Sequence, residues 1–321
     1  MKARGLAFLI AGAWLAAAAA WAQPEGPVVR VDPALDALVA PDAQLTRLHT
    51  GFGFTEGITW VDKGGYLLLS DIPANVIYKL TPTGAVSVFL HPAGYKGFDF
   101  WRVGREQTNG RDPSDPAFEK FIFTGSNGLA LDPQGRLVIT AMADRTVTRL
   151  EKDGKRTVLA GLYEGKRLSG PNDVVVKSDG AVYFTDSVNG LRGGVAGRLR
   201  ELLFNGVYRV KDGSITLLDS DKDRPDEFPN GIAFSPDEKY LYVTAGFGKT
   251  LRLGGVARRQ HRQCQGLYSG RQRRHEGRLE RESLFAERSR SRRGLDYVAG
   301  GQASGHAATA SGPGRTAATH L

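Results

Sequence analysis

Apolar residues in this chain come in short runs of period two, separated by Gly, Asp and Pro, and hardly anywhere at helical spacing. Four stretches repeat one design: FTEGITWVDKGGYLLLSD from Phe54, GSNGLALDPQGRLVIT from Gly125, GPNDVVVKSDGAVYFTD from Gly170 and FPNGIAFSPDEKYLYVT from Phe228. In each, a polar residue (Glu56, Asn127, Asn172 or Asn230) opens a short apolar strand. An Asp/Gly turn follows, then a β-rich strand ending in Thr, Ser or Asp. Further strands come after the first three: NVIYKLTPTG with AVSVFL, RTVTRLEKDG with KRTVLA, and NGVYRVKDGSITLLD. The pattern predicts an all-β chain of antiparallel hairpins, four strands to a unit of roughly 40 to 60 residues, which is the spacing of β-propeller blades. A β-sandwich with chance similarity of turns is the alternative. It does not explain why the polar residue falls at the same place in all four units.

In a propeller the first strand of each blade lines the central channel, so the starts of these strands converge at one mouth. A single Asn-Gly or Asn-Asp is ordinary turn chemistry. Three Asn and one Glu at equivalent positions are oxygen donors meeting on an axis, as a hard cation such as Ca²⁺ requires. Strand direction also places two insertions. HPAGYKGFDFWRVGREQTNGRDPSDPAFEKFIFTG, from His91, links the first unit to the second. SVNGLRGGVAGRLRELLFNG, after Asp186, lies between the second and third strands of the third unit. Both are expected to rim that mouth, with Tyr95, Phe98, Phe100 and Trp101 as apolar walls or as a packing surface.

Composition changes this picture at the two ends. The chain has 321 residues and 41% apolar content, enough for a substantial core. Residues 1–22 read as a secretory signal peptide: Lys2 and Arg4 precede an apolar run from Leu6, and Ala20-Trp21-Ala22 offers small residues for cleavage. A periplasmic or secreted protein is expected, with no membrane association after cleavage. A segment 23–50 then leads into a partial propeller over 51–255. Cys264 is the sole cysteine, so no internal disulfide forms and no cysteine metal site exists. The formal charge of +9 sits almost entirely in residues 256–321, which hold 13 Arg, no Lys and 5 acidic residues. The body is nearly neutral, which argues against a nucleic-acid partner. His49 and His91 stand alone, no Ser-His-Asp grouping is visible, and the glycines lack phosphate-loop spacing.

FTEGITW, EGKRLSGPNDVVVKSDGAVYFTD and FPNGIAFSPDEKYLYVT resemble the senescence-marker-protein/gluconolactonase family, the regucalcin-like six-bladed propellers, and the resemblance covers roughly residues 50–252. It implies a metal-dependent hydrolase of small-molecule lactones, with Ca²⁺ expected first and Zn²⁺ or Mg²⁺ as alternatives. Glu56, Asn172 and Asn230 match the family's metal positions. Asn127 and Asp173 match positions near the substrate, Asp173 being a possible catalytic carboxylate, and Arg167 is a further candidate for a substrate contact. A non-catalytic propeller that binds a ligand or partner is the second reading.

The family's Asp-Gly-Met motif, which supplies another metal ligand, is missing after Leu253. Beyond that point strand alternation ends and Arg replaces all Lys, which predicts a frameshifted, non-native and disordered tail over 256–321 after about four recognisable blades. The genetic code permits a check. Read one base forward, the codon pairs from Gln272 to Phe285 allow Ser-Asp-Gly-Met-Lys-Val-Asp, one unassigned residue, then Lys-Gly-Asn-Leu-Tyr. This is the absent motif followed by a hairpin of the repeat type.

Overall fold

The computed structural model describes residues 23–222, 228–245 and 249–254; the expected leader and tail lie outside these residues. Strands β1 (Gln23–Pro27) and β2 (Gln44–Arg47) form an antiparallel pair at the start. The first sheet is a four-stranded meander of β3 (Thr55–Val61), β4 (Tyr66–Asp71), β5 (Val76–Leu80) and β6 (Val86–Leu90). A small hairpin, β7 (Glu106–Thr108) with β8 (Lys120–Ile122), belongs to the first insertion. The second sheet contains β9 (Ser126–Leu131), β10 (Leu137–Ala141), β11 (Thr146–Leu150) and β12 (Arg156–Ala160). A two-residue hairpin, β13 (Leu162–Tyr163) and β14 (Lys166–Arg167), leads to the third sheet. That sheet runs β15 (Pro171–Val176), β16 (Val182–Asp186), β17 (Gly206–Lys211) and β18 (Ser214–Ser220). The fourth has three strands among the described residues: β19 (Pro229–Phe234), β20 (Tyr240–Ala245) and β21 (Lys249–Gly254).

The sheets pack face against face, and this explains the apolar runs in their second strands. In β16, Val182 and Phe184 join Val138, Val147, Leu168, Val174 and Tyr208 between the second and third sheets. Tyr183, between them in sequence, points the other way and packs with Val207, Ile232, Leu241 and Val243 toward the fourth. In β10, Ile139 faces Leu68, Ile77 and Leu129, while Val138 belongs to the opposite core. A strand covered on both faces has no solvent side on which to alternate, so VYF and LVI read as continuous apolar stretches. Each such side chain contributes roughly 1.5–3 kcal/mol by leaving water.

Polar side chains fix the ends of these strands. The buried carboxylate of Asp71, at the end of β4, accepts from the backbone N–H of Gly53 (3.0 Å) and Phe54 (3.2 Å), just before β3. Asp186, at the end of β16, does the same for Ser169 (2.9 Å) and Gly170 (2.7 Å), just before β15. Burial pushes the Asp186 carboxyl up to about 7, opposed by those two N–H groups and by Arg145. The residues that precede the third strands are also clamps. Asn75 donates to the Tyr95 carbonyl (2.7 Å) and accepts from the Gly94 N–H (2.6 Å). Buried Arg145 donates to the carbonyls of Leu168 and Arg167. In the third sheet Asn205 takes this place, accepting from the Val188 N–H at 3.0 Å.

The two insertions meet. Gly104 N–H donates to the Gly190 carbonyl (3.2 Å), Arg105 N–H to that of Asn189 (3.3 Å), and the Arg105 guanidinium to Asn189 Oδ1 (2.6 Å). Arg192 reaches back to the Glu106 carboxylate and to the Phe100 carbonyl. Beneath them Phe54, Ile72, Phe123 and Met142 form a buried apolar cluster, so the first insertion is packed onto the body.

Candidate functional site

All four first strands carry the same irregularity. Opposite β4, β10, β16 and β20, the register shifts by one residue between Glu56 and Thr59, Ser126 and Leu129, Pro171 and Val174, and Pro229 and Ile232. The repeated polar residue therefore opens or occupies a one-residue β-bulge in every sheet. A bulge bends the strand and re-aims its side chains, which is why it recurs beside functional sites.

The bulges bring the first strands into contact across the sheets. A Cβ on Gly57, whose φ is +59°, would lie 1.9 Å from the Asn127 carbonyl oxygen. A Cβ on Gly128 would lie 2.7 Å from Asp173 Cα and 2.8 Å from its Oδ1. Only glycine permits that approach at either position. Hydroxyls at the ends of the second strands stitch the bulges together. Ser70 Oγ pairs with Ser126 Oγ (2.8 Å), Thr140 donates to the Asn172 carbonyl (2.6 Å) and Thr185 to that of Asn230 (2.5 Å). The Thr185 hydroxyl also accepts from the Asp173 N–H at 3.0 Å, and Thr244 accepts likewise from Gly231 at 2.7 Å. The repeat pattern shows a Thr or Ser near the end of each second strand; its role emerges only when neighbouring sheets are placed side by side.

Asp173 lies where these strands meet. Its Oδ1 accepts from the Val174 N–H (2.8 Å) and its Oδ2 from the Ile232 N–H (3.0 Å), tying β15 to β19. Its charge also reaches Glu56. Burial, and then repulsion by Asp173, push the Glu56 carboxyl up to about 8. Asn127 and Asn172 are only 5% and 4% exposed. Among the described residues, no hydrogen bond engages the side chains of Glu56, Asn127, Asn172 or Asn230. Asn127 and Asn172 are buried, Glu56 is half-buried and Asn230 is exposed, and it is the recurrence of uncommitted oxygen donors at equivalent bulges that singles this place out. Arg167 is brought elsewhere: from β14 it donates to the Asp144 carbonyl (3.0 Å), and its own N–H bonds Glu201 (2.8 Å). It belongs to the rim, not to the ring of bulges.

The donor set is chemically suited to a hard divalent cation: one carboxyl whose pKa is raised by burial and then by Asp173, in the absence of a cation, with neutral amide groups at the other bulges. No three His, Cys, Asp or Glu side chains gather into a conventional cluster among the described residues. A charged hollow lined by Gln134, Arg136, Glu151 and Lys155 lies at the opposite end of the second sheet, where Arg136 pairs with Asp132 and Glu151.

Four packed sheets whose first strands meet one after another at equivalent bulges define a propeller-like protein. The sequence profile of the SMP-30/Gluconolactonase/LRE-like region matches residues 54–252, and the chain belongs to that family. It is 34% identical over 221 residues to a gluconolactonase of Zymomonas mobilis, covering 68% of this chain. The chain spans 56% of that protein's length. Among solved structures, a gluconolactonase from Xanthomonas campestris is 30% identical, with a TM-score of 0.56 over 74% of this chain and 70% of that one.

Proposed function

We propose that this chain carries the site of an exported, divalent-metal-dependent lactone hydrolase, with Glu56, Asn172 and Asn230 as ligands, Ca²⁺ as the preferred ion, and Asn127 and Asp173 facing the substrate. The observation that supports it most directly is the set of uncommitted polar side chains at equivalent bulges. When bound, such an ion supplies Lewis acidity toward the lactone carbonyl. Glu56, once ionised, would be the one formal negative charge among the three ligands. Asn172 and Asn230 would offer oxygens without further charge, so the positive charge of the ion would be only partly neutralised. Asn127 is free to hydrogen-bond a substrate hydroxyl. Asp173, held in one orientation by two backbone N–H groups, is the carboxylate placed to orient a water molecule. Arg167 on the rim is available to a group projecting from the ring.

The polypeptide as written lacks the Asp-Gly-Met element, so we further propose that its reading frame is shifted near residue 253 and that its activity is impaired. Hydrolysis of glucono-1,5-lactone, followed by pH-stat with calcium or a chelator, tests this. A chain continued in the alternate frame is expected to be calcium-dependent and at least roughly a hundred-fold more active; equal rates would refute the impairment. Asn172→Ala with undiminished calcium affinity by calorimetry would remove it from the ligand set. A mature N-terminus at Gln23 in the periplasmic or secreted fraction is the outcome expected of export.

A further inference from the structure

We propose that the aromatic stretch Phe98–Trp101 on the first insertion is a subsite for a second sugar, so that the preferred substrates are aldonolactones bearing a glycosyl substituent. This inference rests on the lactonase proposal. Phe98, Phe100 and Trp101 are 87%, 42% and 71% exposed, three large rings within four residues. A cluster of this kind marks a binding surface far more often than an isolated exposed ring does.

The exposure does not come from a loose loop. Tyr95 N–H donates to the Thr124 carbonyl (2.8 Å), Lys96 N–H to Asp144 Oδ1 (3.3 Å) and Arg102 N–H to the Asp99 carbonyl (2.9 Å). Arg192, from the other insertion, holds the Phe100 carbonyl at 3.2 Å. The Tyr95 hydroxyl bonds Asp99, and its ring packs edge-on against Phe100 with centroids 5.8 Å apart. The backbone is pinned on both sides while the Phe98 and Trp101 rings are left open. Such a platform binds without first losing conformational entropy.

Its surroundings select the ligand. Asp99 and Arg102 form an ion pair at 3.5 Å beside the rings, and Lys96 is exposed nearby. A lipid or an apolar protein surface would have to strip water from these charges. A pyranose ring would not, because its C–H face lies on an aromatic face while its equatorial hydroxyls turn outward to carboxylate and guanidinium groups. The position is also appropriate. Thr124, which anchors Tyr95, directly precedes β9 and its bulge at Asn127, so the platform lies at the same end of the body as the bulges.

Calorimetry on the full chain with cellobionate and gluconate, paired with hydrolysis of cellobiono-1,5-lactone and glucono-1,5-lactone, tests the subsite. Cellobionate is expected to bind roughly five-fold more tightly than gluconate. Trp101→Ala and Phe98→Ala should erase that margin and raise KM for the disaccharide lactone alone, while Trp101→Phe retains it. Equal affinities in the unaltered chain, or equal losses for both sugars, would overturn the subsite. Discrimination between the acids with neither lactone hydrolysed, even by the chain continued in the alternate frame, would sustain the subsite while sinking the lactonase reading. Trp101-dependent binding to phosphatidylglycerol vesicles, or self-association through Trp101, without cellobionate binding would overturn the proposal in favour of a membrane or a second copy.

Discussion

Glu56 occupies the first bulge without a positive neighbour, and its chemistry follows from that. Its carboxyl titrates near 8 because burial and Asp173 both oppose ionisation. A carboxyl raised in the folded state leaves stability intact below its unfolded value, and stability declines as pH rises through the folded value. Without divalent ions the chain should therefore lose stability between pH 5 and pH 9, in part through Glu56. Glu56→Gln should be more stable than the unaltered chain at pH 9 by at least about 1 kcal/mol, with little difference at pH 5, as measured by urea unfolding. Parallel losses in both proteins would show that Glu56 is not the group responsible. Glu56, Asn127, Asn172 and Asn230 were legible in the sequence because they recur at one phase of a repeat. Ser70, Thr140 and Thr185 recur equally, yet a Thr at a strand end has an ordinary explanation in β-propensity. Only the carbonyls opposite Thr140 and Thr185 give those hydroxyls a role.

The bulge is the unit of design among the elements. Thr185 accepts from Asp173 within its own sheet and donates to Asn230 in the next, so one hydroxyl sets both the bulge and the spacing between sheets. Thr185→Val, nearly the same in volume, should cost roughly 1–3 kcal/mol because Asp173 N–H and Asn230 C=O each lose a partner, while Thr185→Ser should recover most of it in thermal melts. Gly128→Ala tests the approach of β9 to β15. Its Cβ would lie 2.7 Å from Asp173 Cα, so a loss of roughly 1–3 kcal/mol is expected. Calcium affinity by calorimetry should fall with it, since Asp173 and Asn172 move together. Strand existence and order follow from period two and the turn residues. The bulges do not, because a local count of residues cannot say which strand of a pair carries the extra one.

For the molecule as a whole, two insertions separated by more than sixty residues close on one another over the apolar cluster of Phe54, Phe123 and Met142. Arg192→Ala removes the links to Glu106 and Phe100 and should speed tryptic cleavage at Arg111 several-fold, because local opening is governed by few contacts. An unchanged rate would mean that the Arg105–Asn189 bonds hold the hairpin unaided. Strand direction alone placed both insertions at one end of the body, since an antiparallel meander must alternate its turns between two ends. That they touch, and that the rings of Phe98 and Trp101 stay open while Tyr95 folds inward, depends on pairings no local pattern encodes. The sequence by itself determined the all-β class, the repeat and the phase at which oxygen donors recur, because these depend on neighbours a few residues apart. Only the tertiary structure decided that Asp173 lies between the strands of three sheets, that Glu56 is forced to keep its proton, and that Arg167 stays on the rim. Burial and charge are set by atoms far away along the chain.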